Sequence, residues 1–387
     1  MQKFISKSKE QASMLMRRLL SPSMRFQLRD AVARLREQLG RARLWQWEIA
    51  RFPLRRDSQF DIVYAGRKSR RDAAKLLLGA HDELNTHLEG ANQTRQSAFV
   101  SEMPFRNALR VPNSLRAIVS LNRPMDEIME GYQSELRRRL RKHRGLYRMQ
   151  QVRDHADIER ADIEMLQPYA CSRHGTAASQ ISSDVVRRLA QETGRLDLVL
   201  YGDEVVACHL GCEFVRNGKR YWSTIRFGYT EAVFSDPKRL KETNSINVQF
   251  ALEWAHNNGF DYYDIGTTGG SPEDGLLQWK KRRAGGVSSM GHHDHFHVRL
   301  PNPGSAQFLW EVPLFAIEGD DLTLHLGIPH DTTAEEAAIR FSQMNFGGLS
   351  KTYLHCAKPP DEQLLEKMRN LYKHLKSPPS LKVISSS

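Results

Sequence analysis

The stretch Asn244–Gly286, NSINVQFALEWAHNNGFDYYDIGTTGGSPEDGLLQWKKRRAGG, decides the fold. Its spacing predicts a helix over Ser245–Asn258, capped by Thr243 or Asn244. Ile246, Phe250 and Trp254 recur at i+4, and Val248, Leu252 and Ala255 widen the apolar face. Asn257-Asn258-Gly259 supplies a left-handed stop. Asp261–Thr267 is short, aromatic and β-prone, with Gly266 near its end. The loop Thr268–Asp274 leads to a basic helix over Gly275–Arg283. A helix, a strand ending in polar residues and glycine, and a second basic helix together suit an anionic ligand.

These residues resemble the acyltransferase family of the GNAT superfold, which includes the cellulose-biosynthesis acetyltransferases and the FemAB-type peptidyltransferases. Asp264 and Gly266 match the family's D-x-G, and Lys281 before Ala284-Gly285 matches its lysine, with Lys280 as the next candidate. Leu198–Cys208 resembles the family's hairpin with a Gly-Asp turn. Lys219–Tyr229 resembles the central strand, and Phe234–Leu240 the loop that replaces a Gly-rich pyrophosphate loop. Ser134–Arg144 resembles the basic helix that leads into the second domain. The resemblance covers residues 115–300.

It implies an α+β fold in which a GNAT-like mixed β-sheet is flanked by helices. It also implies tandem GNAT-like domains, with Phe60–Leu121 as a degenerate first copy. The expected organisation is a basic helical arm over 1–55, a degenerate GNAT-like or α/β domain with linker helix over 56–145, and a GNAT-like acyltransferase domain over 146–304. A small α+β extension follows over 305–387. Helices are expected at 70–78, 80–89, 125–143, 157–169, 184–191, 333–341 and 361–375. Strands are expected at 61–65, 115–121, 147–152, 295–300, 321–326 and 351–356, and residues 375–387 read as frayed.

The implied activity is N-acyl transfer from acetyl-CoA or another acyl-CoA to an amine, such as an amino sugar in cell-surface polysaccharide metabolism. In such a site an amine attacks a thioester, and a backbone N–H on the splayed central strand, here Tyr221–Phe227, holds the oxyanion. The phosphates belong at Ser235–Asn244, with Ser235, Lys238, Arg239, Lys241 and Asn244 as the binding residues. Asp264 either orients the amine, holds Lys281, or caps the turn before Gly266. Lys281 either meets a phosphate or oxyanion, or belongs to a solvated basic helix. Tyr229 and Glu231 follow the central strand as candidate acid and base. The chain lacks a G-x-G/A phosphate loop, which favours an alternative reading, aminoacyl-tRNA-dependent transfer of the FemAB type. A non-catalytic GNAT-like binding protein is the third reading.

Composition bounds the rest. The 387 residues carry 57 Lys/Arg and 45 Asp/Glu, a net charge of +12. Residues 1–80 hold 19 of the Lys/Arg and 7 of the Asp/Glu, so the remainder is neutral. Basic and apolar residues alternate at helical spacing within residues 1–80, with Leu35, Leu39, Leu44, Trp45 and Trp47 as apolar anchors. The arm therefore either docks on its own protein or lies on an anionic membrane face, with nucleic acid as a further alternative. No apolar run spans a bilayer and no secretory signal is evident, so the chain reads as cytoplasmic or peripheral at the inner membrane face. Cys171, Cys208, Cys212 and Cys356 read as reduced thiols. His293, His295 and His297 share one strand face beside His292, but no carboxylate or cysteine completes a set, so no metal is expected.

Overall fold

The structure is a computed structural model that describes residues 22–55, 58–80, 96–175, 181–283, 285–289, 293–372 and 378–385. The chain folds as two units, each drawn from separated stretches. Of the described residues, one unit takes those in 22–29, 118–266 and 282–284. The other takes those in 30–117, 267–281 and 285–385.

The main stretch of the first unit starts inside strand β1 (Ser114–Ser120) and continues through helices α1 (Met125–Glu130) and α2 (Ser134–His143). Strand β2 (Tyr147–Val152) leads to helices α3 (His155–Ala161), α4 (Gln167–His174) and α5 (Ser183–Arg188). Strands β3 (Gly194–Tyr201), β4 (Glu204–Arg216) and β5 (Lys219–Tyr229) follow. A short helix α6 (Glu231–Phe234), the long helix α7 (Pro237–Asn257) and strand β6 (Tyr262–Gly269) complete the series. These strands lie in the order β1-β6-β5-β4-β3-β2 within a seven-stranded sheet. Strands β2 to β5 are antiparallel neighbours, and the β3–β4 turn uses Gly202 at φ +58°. Strand β6 runs parallel to β5. A parallel pair needs a crossover, and α7 supplies it.

This is an α+β mixed sheet with the connectivity that the family resemblance implies. Ile246 and Phe250 of α7 are buried as the i+4 pattern requires, and Trp254 packs against Trp222 at 4.4 Å between ring centroids. Helices α3 to α5 bury Ile158, Met165, Leu166 and Val186 with Leu196, Cys208 and Leu210 of the sheet.

The second unit holds two sheets. In one, Trp47–Pro53 pairs antiparallel with Phe60–Arg67, which runs parallel to Gln96–Ser101; His295–Arg299 and Leu109–Pro112 complete it. In the other, Leu314–Glu318 and Asp321–Ile328 form a hairpin, then Lys351–Cys356 and Ser380–Ser385 add in parallel. Helices Ala334–Met344 and Glu362–Leu371 are the crossovers. An antiparallel hairpin, a helix and a parallel strand thus occur in both units, as tandem domains require. The second instance lies at 314–356.

Several sequence expectations are corrected. Helix α7 begins at Pro237, not Ser245, because Asp236 caps it and Pro237 is preset for the first turn. The helix expected over 125–143 breaks at Gly131–Gln133, where Gln133 N donates to Arg282 O. Residues 47–53, read as part of a helical arm, form a strand whose seven residues all pair with Asp61–Arg67. The strand at 295–299 pairs with Gln96–Ser101 and Leu109–Pro112, so it does not close the β2–β6 sheet. Residues 380–385, expected to fray, pair along the whole of Lys351–Cys356. The helix expected over 80–89 lies outside the described residues, save Ala80.

Candidate functional site

The ladder between β5 and β6 is three residues long: Tyr221–Tyr262, Trp222–Tyr263 and Ser223–Asp264. Asp264 explains why it stops there. Its buried carboxylate accepts from Ser223 Oγ at 2.8 Å and from Gly266 N at 2.8 Å. Gly266 sits at φ +93°, a conformation that a side chain resists, so β6 turns away immediately after the last rung. Strand β5 continues from Thr224 to Tyr229, paired on one edge with β4. Among the described residues, no ladder covers its other edge.

Beside that opening lies a cluster of buried polar groups. Thr224 Oγ1 is 2.8 Å from Tyr263 Oη and 3.2 Å from His209 Nε2. Tyr132 Oη donates to Gln249 Oε1, and Tyr229 Oη donates to Asn244 Oδ1, both at 3.0 Å. Burial raises the pKa of all three tyrosines, so each phenol keeps its proton. Burial, and then the charge of Arg195, push His209 down to about 3, so its imidazole is neutral. Arg283 is 5 % exposed. Burial lowers its guanidinium to about 10, against the opposing influence of Tyr132, Tyr229 and Tyr263, and it stays charged at neutral pH. One cation among three protonated phenols is equipped to receive an oxyanion or carbonyl oxygen.

Helix α7 turns an unusual polar series inward: Thr243, Ser245, Asn247 and Gln249 are all buried. Asn247 Nδ2 donates to Cys208 O, while among the described residues Asn247 Oδ1 has no hydrogen-bond partner. Such a group costs about 1–3 kcal/mol unless water or a ligand satisfies it. A π turn at Asp162–Leu166 joins α3 to α4, and Tyr169 of α4 meets the Tyr229 ring edge-on at 4.6 Å. π turns inside helices occur often at functional sites.

Of the residues singled out in sequence, Tyr229 and Asn244 meet directly. Glu231 is exposed in the first turn of α6. Ser235 and Lys238 are exposed. Arg239 forks onto Glu204 at 2.9 and 3.0 Å, and Lys241 pairs with Glu135 at 2.9 Å. The N–H groups of Lys238 and Arg239 donate to the Asp236 carboxylate, and Pro237 has none. The α7 N-terminus therefore already holds an anion, its own aspartate, within the stretch where the phosphates were expected.

Lys281 belongs to the second unit, in helix Gly275–Lys281. Its ammonium donates to Ser342 O at 2.9 Å and Gln343 O at 2.8 Å, and lies 4.8 Å from the Phe346 ring centroid. Burial lowers its pKa to about 8. Lys280 is buried and donates to Thr267 O at 2.8 Å. Both lysines thus tie the second unit together internally.

His295 and His297 face Arg41 and Arg110. Burial, then those two charges, push the imidazoles down to about 3 and about 4. Asp294 engages Arg70 and Asn113. Among the described residues, no group of three or more His, Cys, Asp or Glu is placed to hold a metal ion; His292 lies outside them.

Sequence reasoning did not single out Arg283, Tyr132, Tyr263 or the polar series of α7. The alternation Thr243-x-Ser245-x-Asn247-x-Gln249, running into the apolar face of the helix, was the available signal.

No family model and no curated protein sequence matches the chain. Among solved structures, it is similar to the C-terminal domain of an Agrobacterium fabrum protein described as a lysylphosphatidylglycerol synthetase, at TM-score 0.34 and 12% identity over 68% of this chain and 87% of that one. L-PGS from Bacillus licheniformis matches at TM-score 0.35 and 12% identity, covering 65% of this chain and 80% of that one. FemX matches at TM-score 0.36 and 13% identity, covering 67% and 90%. The connectivity of the sheet, not these likenesses, carries the fold.

Proposed function

We propose that this chain is a transferase that moves an acyl group from a carrier to a primary amine at the open edge of β5. The observation behind this reading is the ladder that ends at Ser223–Asp264 while β5 runs on to Tyr229. Backbone N–H groups along an uncovered strand edge can receive a carbonyl oxygen as it becomes an oxyanion, and a buried cation beside them adds to that stabilisation. Arg283 supplies the cation. Asp264 shapes the opening instead of taking part in proton transfer. Tyr229 acts as a hydrogen-bond donor, not a base, since its proton is held. The amine attacks the acyl carbon, the carrier's oxygen or sulfur leaves with the bonding pair, and a proton passes from the amine to solvent or the leaving group. The acceptor in this reading is a small-molecule or glycan amine, such as an amino sugar.

An acyl-CoA carrier would place its pyrophosphate elsewhere than the α7 N-terminus, which Asp236 fills. That observation favours a second reading, an aminoacyl-tRNA carrier. The exposed Arg138, Arg141 and Lys142 of α2 offer contacts for a phosphodiester backbone. The test is transfer by the full chain from acetyl-CoA and, separately, from aminoacylated tRNA to a panel of amines, with Arg283→Ala in parallel. The reading expects transfer from one donor, lowered at least tenfold in the variant, about 1.4 kcal/mol of transition-state stabilisation. Transfer from neither donor, or an unaffected Arg283→Ala, would overturn it.

A further inference from the structure

The helix Pro22–Arg41 is docked by its polar side and turns its apolar side to solvent. Leu28, Val32, Leu35 and Leu39 stand 42, 39, 55 and 55 % exposed. At 3.6 residues per turn these four fall within an arc of about 60°. Glu37 and Arg41, which themselves belong to the second unit, lie on the opposite side and bond to its other residues. Glu37 accepts from Arg67 at 2.7 Å and pairs with Arg41 at 3.3 Å, and Arg41 donates to His295 O at 3.3 Å. A soluble protein ordinarily packs such a helix the other way round. The exposed apolar series continues just beyond it, with Leu44, Trp45 and Ile49 at 63, 79 and 83 %.

Charge identifies the occupant. Residues 22–43 contain Arg25, Arg29, Arg34, Arg36, Arg41 and Arg43 against Asp30 and Glu37. Glu37 is spent on Arg41 and Arg67, whereas Arg36 and Arg43 are exposed. A second copy would bring like charges together. A neutral apolar partner would leave those arginines without counter-charge. We propose that this face lies on a bilayer whose headgroups are anionic. Leu28, Val32, Leu35 and Leu39 enter the acyl boundary, Trp45 sits at the headgroup level, and the exposed arginines pair with lipid phosphates. Among the described residues no helix is long and apolar enough to cross a membrane, so the contact is along the surface.

The test is co-sedimentation of the full chain with vesicles of pure phosphatidylcholine, and with vesicles containing about one-third phosphatidylglycerol, at low and high salt. The expected result is binding to the anionic vesicles only, weakened by salt, and lowered at least tenfold in Leu35→Glu/Leu39→Glu. Both positions are exposed, so the variant should melt with the wild type. Trp45→Ala should weaken binding as well. Equal binding of wild type and both variants would overturn the proposal, since another segment would then be responsible. So would failure to bind anionic vesicles, or a self-association abolished by the same substitutions, which would make the occupant a second copy.

Discussion

Removing the Asp264 carboxylate tests whether that side chain ends the β5–β6 ladder. Asp264→Ala strips Ser223 Oγ and Gly266 N of their 2.8 Å acceptor. Hydrogen bonds to a charged group contribute about 1.5–3 kcal/mol each, so losing both should destabilise the chain by about 3–6 kcal/mol. Asp264→Asn is milder. Its amide oxygen can still accept from Gly266 N while its NH₂ donates to Ser223 Oγ, so the loss should be about 1 kcal/mol. Urea denaturation of Asp264→Ala, Ser223→Ala and the double variant gives the coupling directly. It should be about 1.5–3 kcal/mol, because Ser223→Ala removes a bond that Asp264→Ala has already removed. Transfer activity should fall in step with stability. Additivity within about 0.5 kcal/mol would refute the bridging role. A large activity loss in Asp264→Asn at unchanged stability would instead put the carboxylate in the chemistry.

Gly266→Ala forces a side chain to φ +93° and should cost about 1–3 kcal/mol, read as a drop in denaturation midpoint. Lys281→Ala removes two bonds to the end of helix Ala334–Met344 and should destabilise by about 1–2 kcal/mol by the same measurement, whether or not transfer changes. His325 and His355 meet at 3.0 Å, and His325 stacks on Tyr353, whose hydroxyl donates to Glu318. Burial depresses the two imidazoles to about 3 and about 4, and His355 lowers His325 further. A base with a depressed folded pKa contributes stability above its unfolded value near 6.5 and loses it as pH falls from there toward 4. Melting temperature should therefore drop over that window, and drop less steeply in His355→Gln; an unchanged slope would count against the pair.

Much of the sheet was legible because local pattern and tertiary need agreed. Gly202-Asp203 in the hairpin, the i+4 apolar face of α7 and the β-rich tract before Gly266 each say the same thing at both levels. The D-x-G motif was legible as a motif but not as a device. Whether Asp264 reached an amine or a backbone N–H depended on Ser223, forty-one positions earlier in the chain. The start of α7 was written in Asp236-Pro237 and was missed because the apolar pattern begins later. Strand Trp47–Pro53 was hidden by the basic residues around it, since charge alternation at helical spacing outweighed a seven-residue partner strand. Arg283 could not be found by type, because in sequence it is one of four consecutive cations and only burial sets it apart. Periodicity describes elements, and says nothing about which distant stretches share a unit.

A ribosome delivers residues 30–117 long before residues 285–385, yet both belong to the second unit. Strand His295–Arg299 sits between Gln96–Ser101 and Leu109–Pro112, so those two strands emerge with no neighbour on the edges it will fill. At translation rates of about 5–20 residues per second, they wait about ten seconds or more. Through that interval the nascent chain exposes strand edges able to pair with the wrong partner. Its yield in a cell should thus depend on how fast it is translated and on what shields it meanwhile, as much as on the stability of the finished protein.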